Sequence, residues 1–239
     1  MGDLSRHAPP EPKLGIIAGL EAELDALGRF RHHKRVIAGA TGANPRRTAR
    51  AALRMWQEGC RMLLSWGLAG GLDPALEPGD LILPDGVVDP NGKVHWLATD
   101  RLAMLTEPDD DTAMLIAGSD VMVTDPEAKA ALAHSSGAVA VDMETHHVVK
   151  MAEEAAFPAL AIRAIADPAD RSIPKSAQEG IGPDGRPRIG TVLAGLAARP
   201  RELPGLLALR RDYKVGLAAL HEVAESDTLE QLIAAVPRI

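Results

Sequence analysis

AVAVDMETHHVVKMAEEAAFPALAIRAIADPAD, residues Ala138–Asp170, decides how this chain is read. Ala138–Val141 is a short apolar run that ends in two acids, Asp142 and Glu144, and a helical stretch follows. Pro158 sets off a second apolar run, Ala159–Ile165, which ends in Asp167. Short apolar runs flanking a helix are the signature of buried strands in an α/β sheet. Carboxylates at strand ends in such sheets lie where ligands bind, so Asp142, Glu144 and Asp167 are the first functional candidates.

Upstream, Leu14–Ala18 reads as the first buried strand, with Gly19 after it and a helix beginning near Glu21. Glu21, Glu23 and Asp25 suit the positive end of that helix without any chemistry. Arg35–Ala40 is a second strand; Gly42 turns the chain, and Asn44 with Pro45 supplies a cap and first turn. Backbone donors near Gly42, Ala43 and Asn44, closed by Arg46 or Arg47, form a candidate anion pocket, though a solvated arginine face accounts for the same residues. Met62–Trp66 is the next strand, and Gly67, Gly70 and Gly71 are expected to make the turn after it. This glycine cluster completes neither a Walker loop nor a dinucleotide fingerprint. Asp80–Pro84 begins another strand, and Asn91-Gly92 predicts a hairpin between Val87, Val88 and Val94, Trp96, Leu97. Asp109–Asp111 reads as a solvated acidic run. Ala113–Ala117 and Val121–Val123 are expected to be short strands, with Pro126 opening a helix. Downstream, Ile173–Arg188 is expected to be a loop over the substrate or a connector. Helices follow at Ile189–Ala198, Leu206–Val223 and Thr228–Val236.

The chain has 239 residues, 46% of them hydrophobic and 3% aromatic, enough to bury one core built from Leu, Ala, Val and Ile. We expect a loose arm over residues 1–12 and one domain over 13–239. The net charge of −7 argues against nucleic acid as a partner. The single Cys60 forms no internal disulfide and reads as a buried thiol. The first residues, with two successive prolines and acids, do not resemble a secretory leader, and no apolar run reaches membrane-spanning length, so a cytoplasmic location is expected, with contact at the inner membrane face left open.

If the strand ends share one crevice, one carboxylate grips sugar hydroxyls while another protonates a departing base. This division of labour asks for an ionised Glu144 and a protonated Asp167. A metal is not expected: His146 and His147 are adjacent, so their rings are not expected to face one centre, and packing or substrate positioning explains them more simply.

Four segments, LGIIAGLEAEL, WGLAGGLDPALEPGDLILP, GAVAVDMETHHVV and LAIRAIADPADRSIP, together resemble the superfamily of purine nucleoside phosphorylases and methylthioadenosine/adenosylhomocysteine nucleosidases. The combination is most similar to the bacterial hopanoid-associated branch, which is thought to remove adenine from adenosylhopane. The resemblance spans about Leu14–Arg188. It implies an α/β fold with a mixed, curved central sheet surrounded by helices, and cleavage of the bond between ribose C1′ and a purine nitrogen. By motif position, Glu23 resembles the residue that activates water, Met143 the one beneath the sugar, Glu144 the one binding ribose hydroxyls, and Asp167 the acid that protonates N7. Gly19, Gly67 and Gly70 fall among the substrate-binding positions, and Met122 near the adenine. Ala166 stands where many nucleosidases carry Ser.

An ionised Glu23 repels phosphate and serves as a base toward water, so hydrolysis is preferred over phosphorolysis at the Arg46/Arg47 region. No cofactor is expected; inorganic phosphate is the co-substrate of the alternative. The implied partners are adenosylhopane or a related purine nucleoside, a second copy of the chain in a homodimer, and a membrane surface for lipid access through the C-terminal Leu/Ala-rich helices. Methylthioadenosine/adenosylhomocysteine cleavage and a non-catalytic nucleoside- or lipid-binding module are the rival readings.

Overall fold

The structure, a computed structural model, describes residues 11–42, 44–99, 113–180 and 188–237. Most of the N-terminal arm, Ala43, the Asp109–Asp111 run and residues 181–187 of the expected loop lie outside them.

The apolar runs build a mixed sheet ordered β2-β1-β3-β8-β7-β5-β6, with β9 pairing both β3 and β4. Its strands are β1 (Lys13–Ala18), β2 (Val36–Ala40), β3 (Cys60–Gly71), β4 (Leu81–Ile82), β5 (Gly86–Val88), β6 (Val94–Trp96), β7 (Leu115–Gly118), β8 (Ala140–Asp142) and β9 (Ala159–Asp167). All nine residues of β9 are buried, as a strand covered on both faces requires.

Helices cover both sides of the sheet. On one side, α1 (Glu21–Asp25), α7 (Leu203–Glu225) and α8 (Thr228–Ala235) close a core with Leu14, Ile16, Trp66, Leu160 and Ile162. On the other, α2 (Pro45–Gln57) and α4 (Thr145–Glu154) pack Met55, Val148 and Val149 against Ile17, Leu63 and Ile165. The remaining helices are α3 (Pro126–Ser136), α5 (Lys175–Glu179) and α6 (Ile189–Ala198). The Asn44 side chain accepts from Arg47 N at 3.1 Å to cap α2, and Asp125 accepts from Ala128 N at 2.9 Å to cap α3. The single α/β domain with a mixed central sheet agrees with the expectation.

Several local expectations fail. Gly67, Gly70 and Gly71 do not turn; β3 runs through all three, because β9 pairs with it as far as Gly70. Val121–Val123 is not a strand, the Asp80–Pro84 strand shrinks to Leu81–Ile82, and α5 occupies part of the expected loop after Ile173.

The length of β3 positions the site. Along one edge it pairs in parallel with β1 as far as Ser65, then antiparallel with β8 from Gly70. Between those points, Trp66–Ala69 has no strand partner on that edge, so its backbone donors are free for side chains. Helix α7 lies tight over the same region. A Cβ on Gly216 would come within 2.8 Å of Leu68 Cδ2 and 3.0 Å of the Ile165 carbonyl oxygen. Gly216→Val therefore overpacks this seam and costs about 1–3 kcal/mol, several degrees in thermal unfolding. Ala218→Val on the exposed face of the same helix serves as the comparison and should leave the midpoint nearly unchanged.

Candidate active site

Glu23 reaches the unpaired edge of β3. Its carboxylate accepts from Leu68 N at 2.9 Å and from Leu20 N at 2.8 Å, and Trp66 Nε1 donates to its backbone oxygen at 2.8 Å. The side chain is buried, and burial raises its proton affinity against the pull of Arg163 and the backbone donors.

The turn after Asp142 at the end of β8 brings the Glu144 carboxylate against Gly19. The space where Gly19 and Gly67 lack side chains is bordered by Glu144, Glu23 and Arg163. A Cβ on Gly19 would sit 3.3 Å from Glu23 Oε2, and one on Gly67 would sit 2.8 Å from Glu23 Oε1. Glycine is needed at both places because Glu144 and Glu23 fill the volume at Gly19, and Arg163 with Glu23 fills it at Gly67.

Arg163, fully buried in β9, organises this half of the site. Its guanidinium pairs with Asp142, donates to Ser65 Oγ at 2.6 Å and Thr145 Oγ1 at 2.9 Å, and lies 3.8 Å from Glu144 Oε2. Asp142 also accepts from Thr145 N and Oγ1 at 2.9 and 2.6 Å. Asp142 is thus a buried anchor for Arg163 and the start of α4. One guanidinium cannot balance Asp142, Glu144 and Glu23 together. Burial, with Asp142 and Glu23 adding to it against Arg163, pushes Glu144 up to about 8. Sequence reasoning asked for an ionised Glu144; burial and the neighbouring acids here favour its protonated form in the free protein.

Asp167 stands at the end of β9 beside Gly70, where a Cβ would be 3.7 Å from its Oδ2. Lys129, fully buried on α3, meets Oδ2 at 2.6 Å and donates to the Pro168 and Arg171 carbonyls at 2.7 and 3.0 Å. Burial raises the proton affinity of Asp167 despite Lys129. Asp167 Oδ1 is buried and has no hydrogen-bond partner among the described residues. Gly67 and Gly70 are three residues apart along the strand, about 10 Å.

Met143 and Met122 are half-buried, Met143 in the turn between Asp142 and Glu144 and Met122 in the segment after β7. Arg46 and Arg47 are exposed, and no hydrogen bond or ion pair links them to the acids among the described residues. One donor of the expected anion pocket is already used: Gly42 N donates to Gly19 O at 2.8 Å. Cys60 is buried, and burial pushes its thiol up to about 12. His146 and His147 do converge: their Nε2 atoms lie 3.1 and 3.0 Å from the same Asp120 Oδ1, contrary to the expectation from their adjacency.

Sequence reasoning missed Arg163, Lys129 and Tyr213. Arg163 was visible as the one charge inside Leu160–Ala166. Lys129 carried no local signal, since α3 shows no clear apolar face to set a buried lysine apart. Tyr213 of α7, pushed up to about 12 by burial and the Glu23 charge, has only its distant sequence position to identify it.

Residues 26–112 and 112–185 match the family model described as the phosphorylase superfamily. No curated protein sequence matches the chain. Among solved structures, futalosine hydrolase of Helicobacter pylori strain 26695 aligns with a TM-score of 0.62 at 18% identity, over 90% of this chain and 99% of its own. The 5′-methylthioadenosine/S-adenosylhomocysteine nucleosidase of Neisseria meningitidis gives 0.63 at 17%, over 91% and 99%. The Helicobacter pylori nucleosidase of the same name gives 0.61 at 18%, over 90% and 99%. At these identities the likeness is one of fold.

The raised Glu144 has a consequence for stability. A carboxyl with an unfolded value near 4.5 and a folded value of about 8 stabilises the fold fully below 4.5. That contribution is lost as pH rises through the folded value. Glu144→Gln should remove this slope: the difference in melting temperature between variant and parent shifts in the variant's favour from pH 5 to pH 8. A pH-independent difference in thermal unfolding would contradict the assignment.

Proposed function

Since the chain belongs to the phosphorylase superfamily, we propose that it hydrolyses the N-glycosidic bond of a purine nucleoside, with adenosylhopane as substrate and adenine as a product. The supporting observation is the convergence of Glu23 and Glu144 on the Gly19–Gly67 space, with Asp167 beside Gly70. In this reading Glu144 holds the ribose hydroxyls and Met143 lies beneath the ring. Water attacks C1′ and passes a proton to Glu23 as the bond to the purine nitrogen breaks. The bond's electrons move into the base, and Asp167 delivers a proton to N7. Its partnerless Oδ1 and raised proton affinity suit a general acid. Lys129 holds the other oxygen and fixes the carboxyl's orientation.

One observation favours phosphorolysis: Arg163 Nη1 is buried without a hydrogen-bond partner among the described residues, beside Gly67. Against it, three acids surround that single cation, and a phosphate dianion entering there meets excess negative charge.

The lipid part of the proposal draws on the surface of α6 and α7. Ile189, Leu193, Leu203 and Leu207 are exposed, with Arg188, Arg201, Arg210, Arg211 and Lys214 exposed around them. No acid between residues 188 and 214 is exposed, although the chain is acidic overall. Exposed apolar side chains among cations suit the inner face of an anionic membrane, from which a hopanoid substrate would be drawn. Among the described residues no helix is long and apolar enough to cross a membrane. The proposal includes a homodimer, which analytical ultracentrifugation checks.

Incubation with adenosylhopane in phosphate-free buffer should release adenine and ribosylhopane. A ribose 1-phosphate product formed only with phosphate would select phosphorolysis, and cleavage of methylthioadenosine with adenosylhopane inert would select the rival substrate. Single-turnover measurements should show Asp167→Asn losing about 10²–10⁴ in rate with binding retained, and Glu23→Gln failing in attack by water. No turnover by the parent protein on any of these nucleosides, with binding intact, would leave only a binding module.

A further inference from the structure

We propose that Asp120, His146 and His147 form a binding site for a divalent transition-metal ion of the zinc class, and this inference is independent of the nucleoside chemistry. The chain brings the three together from two segments. After β7 ends at Gly118, Ser119 N donates to the Asp142 carbonyl at 2.9 Å and Ser119 Oγ to the Val121 carbonyl at 2.6 Å. These bonds fold the segment so that Asp120 meets the first turn of α4, where His146 and His147 follow Thr145. A Cβ on Gly118 would lie 2.6 Å from His146 Cβ, so the buried imidazole fits there because residue 118 is glycine. The two rings overlap, with centroids 3.8 Å apart and planes tilted by 41°.

Their Nε2 atoms stand 3.1 and 3.0 Å from the same Asp120 Oδ1. One ligand atom from each of the three residues lies within 4.8 Å of the others. Donors bound at about 2.0–2.2 Å to one tetrahedral ion are separated by about 3.3 Å, so a small adjustment accommodates a metal. Hydrogen bonding alone leaves this geometry incomplete. His147 Nε2 is buried and, although only 3.0 Å from the carboxylate oxygen, has no aligned hydrogen bond among the described residues. His146 Nδ1 is also buried without a partner. His146 Nε2 hydrogen-bonds this Asp120 oxygen at 3.1 Å, so the second imidazole nitrogen crowded onto the same oxygen is the one left for a shared third centre.

Two imidazoles and a carboxylate match borderline zinc-class ions better than calcium or magnesium, which prefer all-oxygen sets. Three protein ligands leave one position for water. Asp120 is 57% exposed along its side chain, which gives the ion a path in. The ion would tie the segment carrying Met122 to the helix that Glu144 caps, bracing two walls of the site without touching the reacting bond.

The test uses the full chain, freed of tags and stripped with chelator. Zinc chloride is titrated calorimetrically, and cobalt(II) is followed by its visible absorption. We expect one ion per chain, the intense bands of a four-coordinate cobalt centre, and affinity at least ~10-fold weaker in His147→Gln and in Asp120→Asn. His32→Gln, on an exposed histidine elsewhere, should bind as the parent does. Circular dichroism establishes that each variant is folded; should one fail to fold, the cobalt spectrum of the parent decides. No stoichiometric binding, an octahedral cobalt spectrum, or affinity unchanged by both substitutions would overturn the proposal.

Discussion

A guanidinium sealed inside a central strand has to be answered by charge and by hydrogen-bond acceptors, and Arg163 imposes this requirement on everything around it. Asp142 from β8, Ser65 from β3 and Thr145 from α4 converge on it. These contacts tie the antiparallel arm of the sheet to the parallel one where β3 changes partner. Glu144 and Glu23 then compete for what remains of the same positive charge. The fold and the acid chemistry therefore share one electrostatic centre. Removing Arg163 would disturb strand association and carboxylate protonation together.

A second buried cation does comparable work at the far end of the cleft. Lys129 comes from α3, grips Asp167 and gathers the carbonyls of Pro168 and Arg171, while Arg171 pairs with the buried Asp212 of α7. The end of β9 is thereby held from two helices at once. The two halves differ in kind. Around Arg163 the acids outnumber the cation, whereas Asp167 has a partner of its own, and groups kept in such different surroundings can take different proton-transfer roles.

Much of the architecture was legible because its signals are local. Apolar runs marked β1, β2, β8 and β9, Asn44 with Pro45 marked the start of α2, and Asn91-Gly92 marked the β5–β6 hairpin. The glycines after Trp66 misled because glycine reports only that backbone or a side chain comes close, not which. Here they admit Glu23, Arg163 and Asp167 alongside a continuing strand. Val121–Val123 has strand composition but finds no neighbour to pair with, so propensity alone does not make it one. Arg163, Lys129, Tyr213 and the Asp120–His146–His147 cluster depend on contacts between distant segments, which no periodicity encodes. Adjacent histidines were expected to diverge because ideal helix geometry separates neighbours by about 100°, but at the first turn of α4 their side chains swing to a common oxygen.

The indole of Trp66 offers a way to observe the cleft directly. Of the three tryptophans, Trp56 and Trp96 are 48% and 62% exposed, whereas Trp66 is fully enclosed and bonded to the backbone of Glu23. Aqueous quenchers reach the first two and silence them, leaving an emission that belongs to one chromophore beside the acid. The protein thus carries an intrinsic optical probe at the edge of its own cleft, sensitive to whatever displaces the segment around Glu23.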